Sequence, residues 1–217
     1  MPEPLAPTAQ DVPDPALAAI VAALAERGWC VDPAFLAAEE VARLAAESRA
    51  LWEEGAFRQA GVGVGTERRI RPEIRRDQVL WLTDQEATPA QRRYFARVEA
   101  LRRALNGALY LGLFDFEAHL TVYPPGAFYR RHLDRFRAGA ARTVSLILYL
   151  NEEWPEGAGG ELRLYLDELD DAGAGPHLDV PPRGGTLVAF LSDRFYHEVL
   201  PAARERLSLT GWLKTRE

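Results

Sequence analysis

Hydrophobic residues in the first half of the chain recur at the spacing of a helix. Three such segments each begin with a capping residue followed by proline: Asp14-Pro15, Asp32-Pro33 and Thr88-Pro89. The side chain of Asp or Thr can accept from the free backbone N–H groups of a first helical turn, and proline tolerates that turn because it has no N–H to satisfy. The pattern predicts three helices that begin there and end near Gly28, Gly55 and Gly107.

The second half of the chain alternates instead between hydrophobic and polar residues, which is typical of β-strands. The alternating segments are 116–123, 142–150, 161–166, 186–191 and 204–213, with an extended segment at 128–132 and a short strand at 79–82. Glycine and proline separate most of them. Many short strands at this spacing predict a sandwich or barrel. We therefore expect an α+β fold, mainly β, whose N-terminal helices pack on one sheet.

The order of these patterns also predicts the domain organisation. Residues 1–13 are rich in proline and are expected to be a flexible N-terminus. Residues 14–217 are expected to form a single domain, in which a helical part (14–112) supports a β core (113–217). A chain of 217 residues is long enough for such a domain to bury a substantial core.

Composition and charge narrow the function classes. The net charge of −6 argues against a nucleic-acid partner. No hydrophobic run approaches the roughly 20 residues of a membrane span, and the N-terminus lacks the pattern of a signal peptide. The only cysteine, Cys30, rules out an intrachain disulfide and fits a reducing compartment. These features predict a cytoplasmic protein without a membrane or nucleic-acid partner, and we expect a monomer.

Candidate chemistry lies in two histidines and one aspartate. His132 and Asp134 stand two residues apart at the end of an extended segment, so their side chains can point to the same face. His197 follows the apolar segment 186–191. Two imidazoles and a carboxylate form the facial triad of non-haem Fe(II) sites, and zinc accepts the same donors at catalytic sites. The alternative without a metal is a surface histidine beside a solvated aspartate.

Arg206 favours iron over zinc. It stands nine residues after His197, within the last alternating segment. A buried guanidinium needs an anion, and it can bind a carboxylate through two parallel hydrogen bonds. 2-Oxoglutarate would meet both needs, since its keto-acid end can chelate iron while its far carboxylate reaches the arginine. Tyr149, inside an apolar strand, is a candidate second donor to that carboxylate, and the alternative is a core aromatic residue with a structural role only.

Several strings of residues resemble those of the Fe(II)- and 2-oxoglutarate-dependent dioxygenases. Within that family they resemble the prolyl hydroxylases of the hypoxia-inducible-factor type and their bacterial relatives. The matching strings lie at 123–126, 129–134, 142–151, 159–163, 192–194 and 197–199, with a further one upstream at 74–81. The resemblance implies a double-stranded β-helix, which is a variant of the jelly roll, with the metal inside its mouth.

The resemblance also implies roles for individual residues. The iron ligands would be His132, Asp134 and His197. The co-substrate residues would be Arg206, Tyr149, Tyr123 and Thr210, the last as support for an ordered water. The substrate entrance would be lined by Tyr129, Arg142 and Trp212, and Arg75 with Asp77 would tie down a loop beside it.

The activity implied by the resemblance is hydroxylation of a prolyl residue in a protein substrate, with Fe(II), 2-oxoglutarate and O2 and with release of succinate and CO2. Ascorbate is a further candidate cofactor, and elongation factor Tu is a candidate target. Two alternatives stay open: a 2-oxoglutarate oxygenase acting on a free amino acid or other small molecule, and a non-catalytic jelly-roll binding module. The segment 61–77 favours a peptide, because its glycines and arginines predict a mobile lid over the entrance.

Overall fold

A computed structural model of the protein describes residues 14–63, 69–134, 141–167 and 175–216. These residues form three helices and eleven strands. The helices are α1 (Pro15–Arg27), α2 (Ala38–Glu53) and α3 (Pro89–Leu109). The strands are β1 (Trp29–Asp32), β2 (Arg58–Gln59), β3 (Gln78–Trp81), β4 (Leu113–Tyr123), β5 (Tyr129–His132), β6 (Arg142–Tyr149), β7 (Leu162–Tyr165), β8 (His177–Val180), β9 (Leu187–Leu191), β10 (His197–Val199) and β11 (Arg206–Thr215). The predicted flexible segment 1–13 lies outside the described residues.

The strands form two antiparallel sheets. The larger sheet has the order β1-β9-β6-β11-β4-β3-β2, and the smaller has the order β5-β10-β7-β8. Many neighbours are far apart in sequence, as where β6 lies between β9 and β11. Such crossovers between two facing sheets are those of a jelly roll, so the predicted mainly β fold is confirmed. The division into a flexible N-terminus and one domain stays a prediction. Among the described residues, no helix has the length and apolar character needed to cross a membrane.

Alternation along the central strand β6 separates two hydrophobic layers. Val144, Leu146 and Leu148 belong to the cluster that also holds the buried residues of the three helices. Ile147 and Tyr149 belong to the second cluster, which contains residues from both sheets. A shift of one residue in the pairing of β6 would exchange these faces. The alternation therefore fixes Tyr149 in the layer between the sheets.

The first and third helices begin at the predicted caps. The Asp14 side chain accepts from the backbone N–H of Ala16 at 2.9 Å, and α1 ends at Gly28, whose φ of 82° suits glycine. Thr88 forms a capping box with Gln91 at the start of α3. The third helix continues past the predicted end at Gly107 and ends at Leu109.

The predicted start of the second helix at Asp32-Pro33 is wrong. Residues 29–32 form β1, which pairs with β9, and the Asp32 side chain accepts from the N–H of Ala34 at 3.0 Å, as in a turn. The helix begins at Ala38, and no side chain caps it. The sequence suggested a cap because aspartate before proline serves both turns and helices, and only pairing with the distant β9 decides between them.

The strand predictions agree with the structure for the longer segments. The strands β1, β2, β8 and β10 were not predicted, because two to four residues are too few to show a period. Of these, β10 matters most for function, since it begins with His197.

Candidate active site

Two neighbouring strands of the smaller sheet bring the predicted metal ligands together. His132 ends β5 and His197 begins β10, and the two residues are direct partners in the antiparallel pairing. Asp134 lies two residues beyond His132, with Oδ1 3.5 Å from Nε2 of His132 and Oδ2 3.6 Å from Nε2 of His197. One ligand atom from each residue lies within 4.8 Å of the others. Because the two histidines are cross-strand neighbours, ordinary sheet geometry is enough to bring their imidazoles together.

Each imidazole is oriented by a backbone carbonyl two residues earlier. Nδ1 of His132 lies 2.8 Å from the carbonyl of Arg130, and Nδ1 of His197 lies 3.2 Å from the carbonyl of Phe195. If Nδ1 carries the proton and donates to these oxygens, Nε2 keeps its lone pair for a metal. Burial and the nearby His132 lower the pKa of His197 to about 4, which keeps that ring neutral.

The carboxylate of Asp134 is also suited to a cation. Burial alone would raise its pKa, but the two imidazoles and a hydrogen bond from Ser145 outweigh burial and hold the pKa well below its usual range. Two neutral imidazoles and one ionised carboxylate are the donor set of the non-haem Fe(II) facial triad. The residues present therefore fit the predicted metal.

The larger sheet contributes a buried cation, Arg206, to the same site. Arg206, at the start of β11, is 1% exposed. Its Nε donates to the carbonyl of Gly160 at 2.9 Å and its Nη1 to Ser208 at 3.4 Å. Among the described residues nothing accepts from its Nη2, and the buried hydroxyl of Tyr149 also lacks a partner there. The guanidinium lies 4.9 Å from the Tyr149 ring centre. Two unsatisfied polar groups side by side fit the carboxylate of a bound anion.

The glycine at position 160 positions Arg206. Its φ of 77° lies in the left-handed region, and a Cβ there would come 2.9 Å from Cβ of Ala202 and 3.1 Å from the Trp154 ring. It would also come 3.4 Å from Cδ of Arg206. A side chain at this position would therefore disturb the loop whose carbonyl holds the guanidinium.

A cavity of about 460 Å³ joins the two groups of residues. It is lined by most of the predicted site residues, namely His132, Asp134, His197, Arg206, Tyr123, Thr210, Tyr129, Arg142, Trp212 and Arg75. The two predicted residues outside its lining are Tyr149, whose ring lies against Arg206, and Asp77, which is fully buried behind Arg75. The structure thus brings the predicted residues to one place, while their roles stay predictions.

A stack of side chains leads from the predicted loop anchor to the metal ligands. Nε of Arg75 donates to Asp77 at 2.7 Å, and the Arg75 guanidinium lies 4.1 Å from the Tyr129 ring centre. Tyr129 in turn stacks on His132 with ring centres 3.6 Å apart. On the opposite wall, Arg142 lies 3.6 Å from the Trp212 ring centre. Aromatic and cationic groups therefore line the cavity from both sheets.

The predicted lid 61–77 is attached to the rest of the protein near its C-terminal end, and two of its described residues also pair with each other. Val62 and Arg69 exchange backbone hydrogen bonds of 2.8 Å. The N–H of Arg76 donates to the carbonyl of Phe128 at 3.0 Å, and the N–H of Arg130 donates to Ile74 at 2.8 Å. Residues 64–68 of the segment lie outside the described residues. The mobility of the lid stays a prediction.

Three polar residues near the site were not singled out from the sequence. His119 lines the cavity from β4, and burial, followed by the charge of Arg75, lowers its pKa to about 3. Ser145 donates to Oδ2 of Asp134 at 2.7 Å, and Ser192 lies 2.9 Å from Ser145. The available signal for Ser145 was its place on β6, because it shares a face with Ile147 and Tyr149.

Comparisons with known proteins agree with this geometry. A family model described as the 2OG-Fe(II) oxygenase superfamily matches residues 118–214. The chain is similar to a solved prolyl-4-hydroxylase of Pseudomonas putida, with 48% identity, a TM-score of 0.81 and coverage of 93% of this chain and 100% of that one. It is also similar to a Trichoplax adhaerens prolyl hydroxylase solved with a peptide of the hypoxia inducible factor oxygen degradation domain, with 26% identity, a TM-score of 0.78 and coverage of 91% and 88%.

A curated relative extends the comparison to animals. Egl nine homolog 1 of Mus musculus is 32% identical over 96% of this chain and 53% of its own length. The chain therefore spans about half the length of that relative.

Proposed function

Because the chain belongs to the 2OG-Fe(II) oxygenase superfamily, we propose that it is an Fe(II)- and 2-oxoglutarate-dependent dioxygenase that hydroxylates a prolyl residue of a protein substrate. In this reaction one atom of dioxygen enters a C–H bond of proline as hydroxyl. The other atom enters succinate as 2-oxoglutarate loses CO2. The observation that carries the proposal is a pair of neighbouring unsatisfied groups, on Arg206 and Tyr149. Arg206 lines the cavity that holds the two-histidine, one-aspartate set, and the Tyr149 ring lies against Arg206.

In this proposal His132, Asp134 and His197 hold the iron, which supplies the oxidising chemistry when bound. The protein would contribute three donors to the ion, and all three residues also line the cavity, from which co-substrate and dioxygen would come. The hydrogen bonds that Nδ1 of each imidazole donates to a backbone carbonyl keep the Nε2 atoms turned toward the metal site.

Arg206 and Tyr149 bind the far carboxylate of 2-oxoglutarate. Burial raises the pKa of Tyr149 to about 12, so its hydroxyl keeps its proton and can donate. The guanidinium offers the free N–H groups of Nη2 to the same carboxylate. Tyr123 and Thr210 line the cavity beside them and are assigned to the co-substrate. The anion would satisfy a buried charge that the described residues leave without an acidic partner.

A prolyl residue of a protein fits the entrance. Tyr129 and Trp212 offer aromatic surface to a five-membered ring, and Arg142 offers donors to the carbonyl groups of a peptide backbone. A peptide substrate is also supported by the Trichoplax adhaerens relative, which was solved with a peptide bound. Elongation factor Tu is our candidate target, and its support is the resemblance of the sequence to bacterial prolyl hydroxylases. We also propose a monomeric cytoplasmic enzyme, with ascorbate as an accessory reductant.

The test is product analysis by mass spectrometry. The protein is incubated with Fe(II), 2-oxoglutarate and dioxygen together with elongation factor Tu, with lysate proteins, or with free proline. We expect one added oxygen atom on a prolyl residue of a protein, with succinate formed in equal amount. Arg206→Ala should abolish it, while Arg163→Ala, which removes a surface arginine paired with Asp179, should not.

The free-proline reaction decides between the substrate classes. A cavity of about 460 Å³ lies within the size range of small-molecule sites, so an oxygenase of free amino acids is the second candidate. Hydroxylation of free proline without modification of any protein would favour it. Binding of 2-oxoglutarate without turnover of any substrate would favour a binding module.

A further inference from the structure

Two buried serines connect the carboxylate of Asp134 to the larger sheet. We propose that Ser192 and Ser145 form a hydrogen-bond chain that selects which oxygen of Asp134 binds the metal, and that this chain sets the metal affinity. The inference rests on the metal site of the proposed function. It assigns positioning roles to two residues that would touch neither the metal nor the substrate.

The hydrogen-bond chain has short contacts and is enclosed by protein. Oγ of Ser145 lies 2.7 Å from Oδ2 of Asp134, and Oγ of Ser192 lies 2.9 Å from Oγ of Ser145. Both serines are completely buried. Because water does not reach these hydroxyls in the folded protein, each must form its hydrogen bonds with neighbouring protein groups.

The direction of the hydrogen bonds in this chain follows from the chemistry of Asp134, the residue at its end. A metal-binding carboxylate is ionised and can only accept hydrogen bonds. The single proton of the Ser145 hydroxyl is therefore committed to Asp134, and Ser145 can only accept from Ser192. The hydrogen bonds run from Ser192 to Ser145 to Oδ2, with no other arrangement that uses both contacts.

Such a chain distinguishes the two carboxylate oxygens. Oδ2 receives a short hydrogen bond, which withdraws part of its electron density from a metal. Oδ1, which faces His132 at 3.5 Å, is left as the stronger donor. The chain therefore favours ligation through one oxygen and keeps further positions on the ion open for co-substrate and dioxygen.

Asp134 depends on this support more than the histidines do. Both imidazoles are held by carbonyls of their own segments, two residues earlier. Asp134 lies beyond the end of β5 at His132, so strand pairing does not orient it. Ser145 lies on β6 and Ser192 directly follows β9, with its N–H bonded to the carbonyl of Thr143 at 3.0 Å. Residues of the larger sheet thus hold Asp134, the one ligand that the pairing of β5 does not orient.

The experiment measures Mn(II) binding to the metal-free protein by calorimetry, without turnover. Losing a hydrogen-bond partner of a metal ligand typically weakens affinity by roughly 10- to 100-fold. We expect a loss in that range for Ser145→Ala and a smaller loss for Ser192→Ala. Ser145→Thr, which keeps a hydroxyl, should restore most of the affinity. The matched control is Ser48→Ala, because Ser48 is an equally buried serine on α2 whose hydroxyl has no hydrogen-bond partner among the described residues.

A spectroscopic readout separates positioning from general packing. When Co(II) replaces iron, its visible absorption reports the number and arrangement of ligands. Ser145→Ala should change that spectrum, because Asp134 becomes free to bind through both oxygens, whereas Ser48→Ala should leave it unchanged. A general loss of packing would lower the melting temperature of both variants without changing the spectrum.

The outcomes distinguish this inference from the proposed function. Wild-type Mn(II) affinity and an unchanged Co(II) spectrum in Ser145→Ala would overturn the inference alone. If Ser145→Ala does not fold, the same result in Ser192→Ala would overturn it. If the wild-type protein binds no divalent ion, or binds it equally after Asp134→Ala, the metal site of the proposed function fails as well.

Discussion

The two ends of the cavity differ in how complete they are without a ligand. At the smaller sheet, the side chains of His132, Asp134 and His197 are each already oriented by hydrogen bonds within the protein. At the larger sheet, Arg206 and Tyr149 retain buried groups that the described residues do not satisfy. The metal end is therefore preorganised, whereas the co-substrate end requires an anion to complete it. Substitutions at the two ends should consequently have different signatures in binding and in stability.

The largest effect should come from the metal end. Asp134→Ala removes the only carboxylate of the ligand set. Removing a ligand should cost more than the roughly 10- to 100-fold lost with an outer-shell partner, so we expect activity to fall by more than about a hundredfold. Mn(II) titration and succinate formation are the measurements. Asp179→Ala, which removes a surface aspartate paired with Arg163, is the control, and equal losses in both variants would refute the assignment.

The next effect should appear at the co-substrate end. Arg206→Lys keeps a charge but loses the forked geometry, and a lost charge-assisted hydrogen bond costs about 1.5–3 kcal/mol. The KM for 2-oxoglutarate should rise by about tenfold or more, because 1.4 kcal/mol corresponds to one order of magnitude. Mn(II) affinity should not change, which sharpens the contrast between the two ends. An unchanged KM in both Arg206→Lys and Arg206→Ala would contradict the role of this residue.

The sequence predicted the metal end more completely than its surroundings. His132 and Asp134 are two residues apart, and this local spacing is visible without any knowledge of the fold. His197 and Arg206 were singled out by their places after and within apolar segments of the sequence. The resemblance to a known family added the entrance residues, and the structure places all of them around one cavity. His197, Tyr129 and Arg142 lie within the matching strings, whereas Arg206 and Trp212 lie in the last alternating segment, 204–213.

What the sequence did not predict depends on contacts between distant segments. Ser145, on β6 of the larger sheet, meets Asp134, which follows β5 of the smaller sheet, and Ser192 reaches Ser145 from the end of β9. The wrong prediction of where α2 begins has the same origin, since Asp32 belongs to a strand that pairs with β9. Local propensity favoured a helix cap there, and tertiary pairing overrode it.

The stability of the protein should depend on pH through His119, which lines the cavity from β4. Burial, with the charge of Arg75, lowers the pKa of His119 to about 3, below the ordinary value of an exposed histidine. Between these values the unfolded chain binds a proton that the folded protein does not. The contribution of His119 to stability is thus present above about pH 6.5 and is lost as the pH falls, by up to about 2 kcal/mol at pH 5.

Equilibrium unfolding in urea at pH 7 and pH 5 measures this contribution. The His119→Gln variant removes the titrating group and should lose less stability than the wild type between the two values. His177→Gln is the control, because His177 is exposed on β8. Equal losses in the wild type and His119→Gln would show that other groups govern the acid dependence.

The smallest effect should be the change in melting temperature caused by Tyr149→Phe. The direction of this change should depend on whether 2-oxoglutarate is bound. The hydroxyl of Tyr149 is buried without a partner among the described residues, so removing it should leave the melting temperature of the ligand-free protein unchanged or slightly higher. With 2-oxoglutarate bound, the variant lacks one hydrogen bond from a neutral hydroxyl to a carboxylate, worth about 1.5 kcal/mol. A smaller thermal shift on adding 2-oxoglutarate is therefore expected. A loss of stability in the ligand-free protein would show that the co-substrate end is complete on its own.

The most direct test of the account uses isotopically heavy dioxygen. The wild-type protein is incubated with Fe(II), 2-oxoglutarate, elongation factor Tu and lysate proteins, and the products are analysed by mass spectrometry. If the cavity couples the metal end to the co-substrate end as proposed, one heavy oxygen atom appears in a prolyl residue and one in succinate, in equal amounts. Labelled succinate with no labelled protein, or a hydroxylated prolyl residue formed without 2-oxoglutarate, would contradict it.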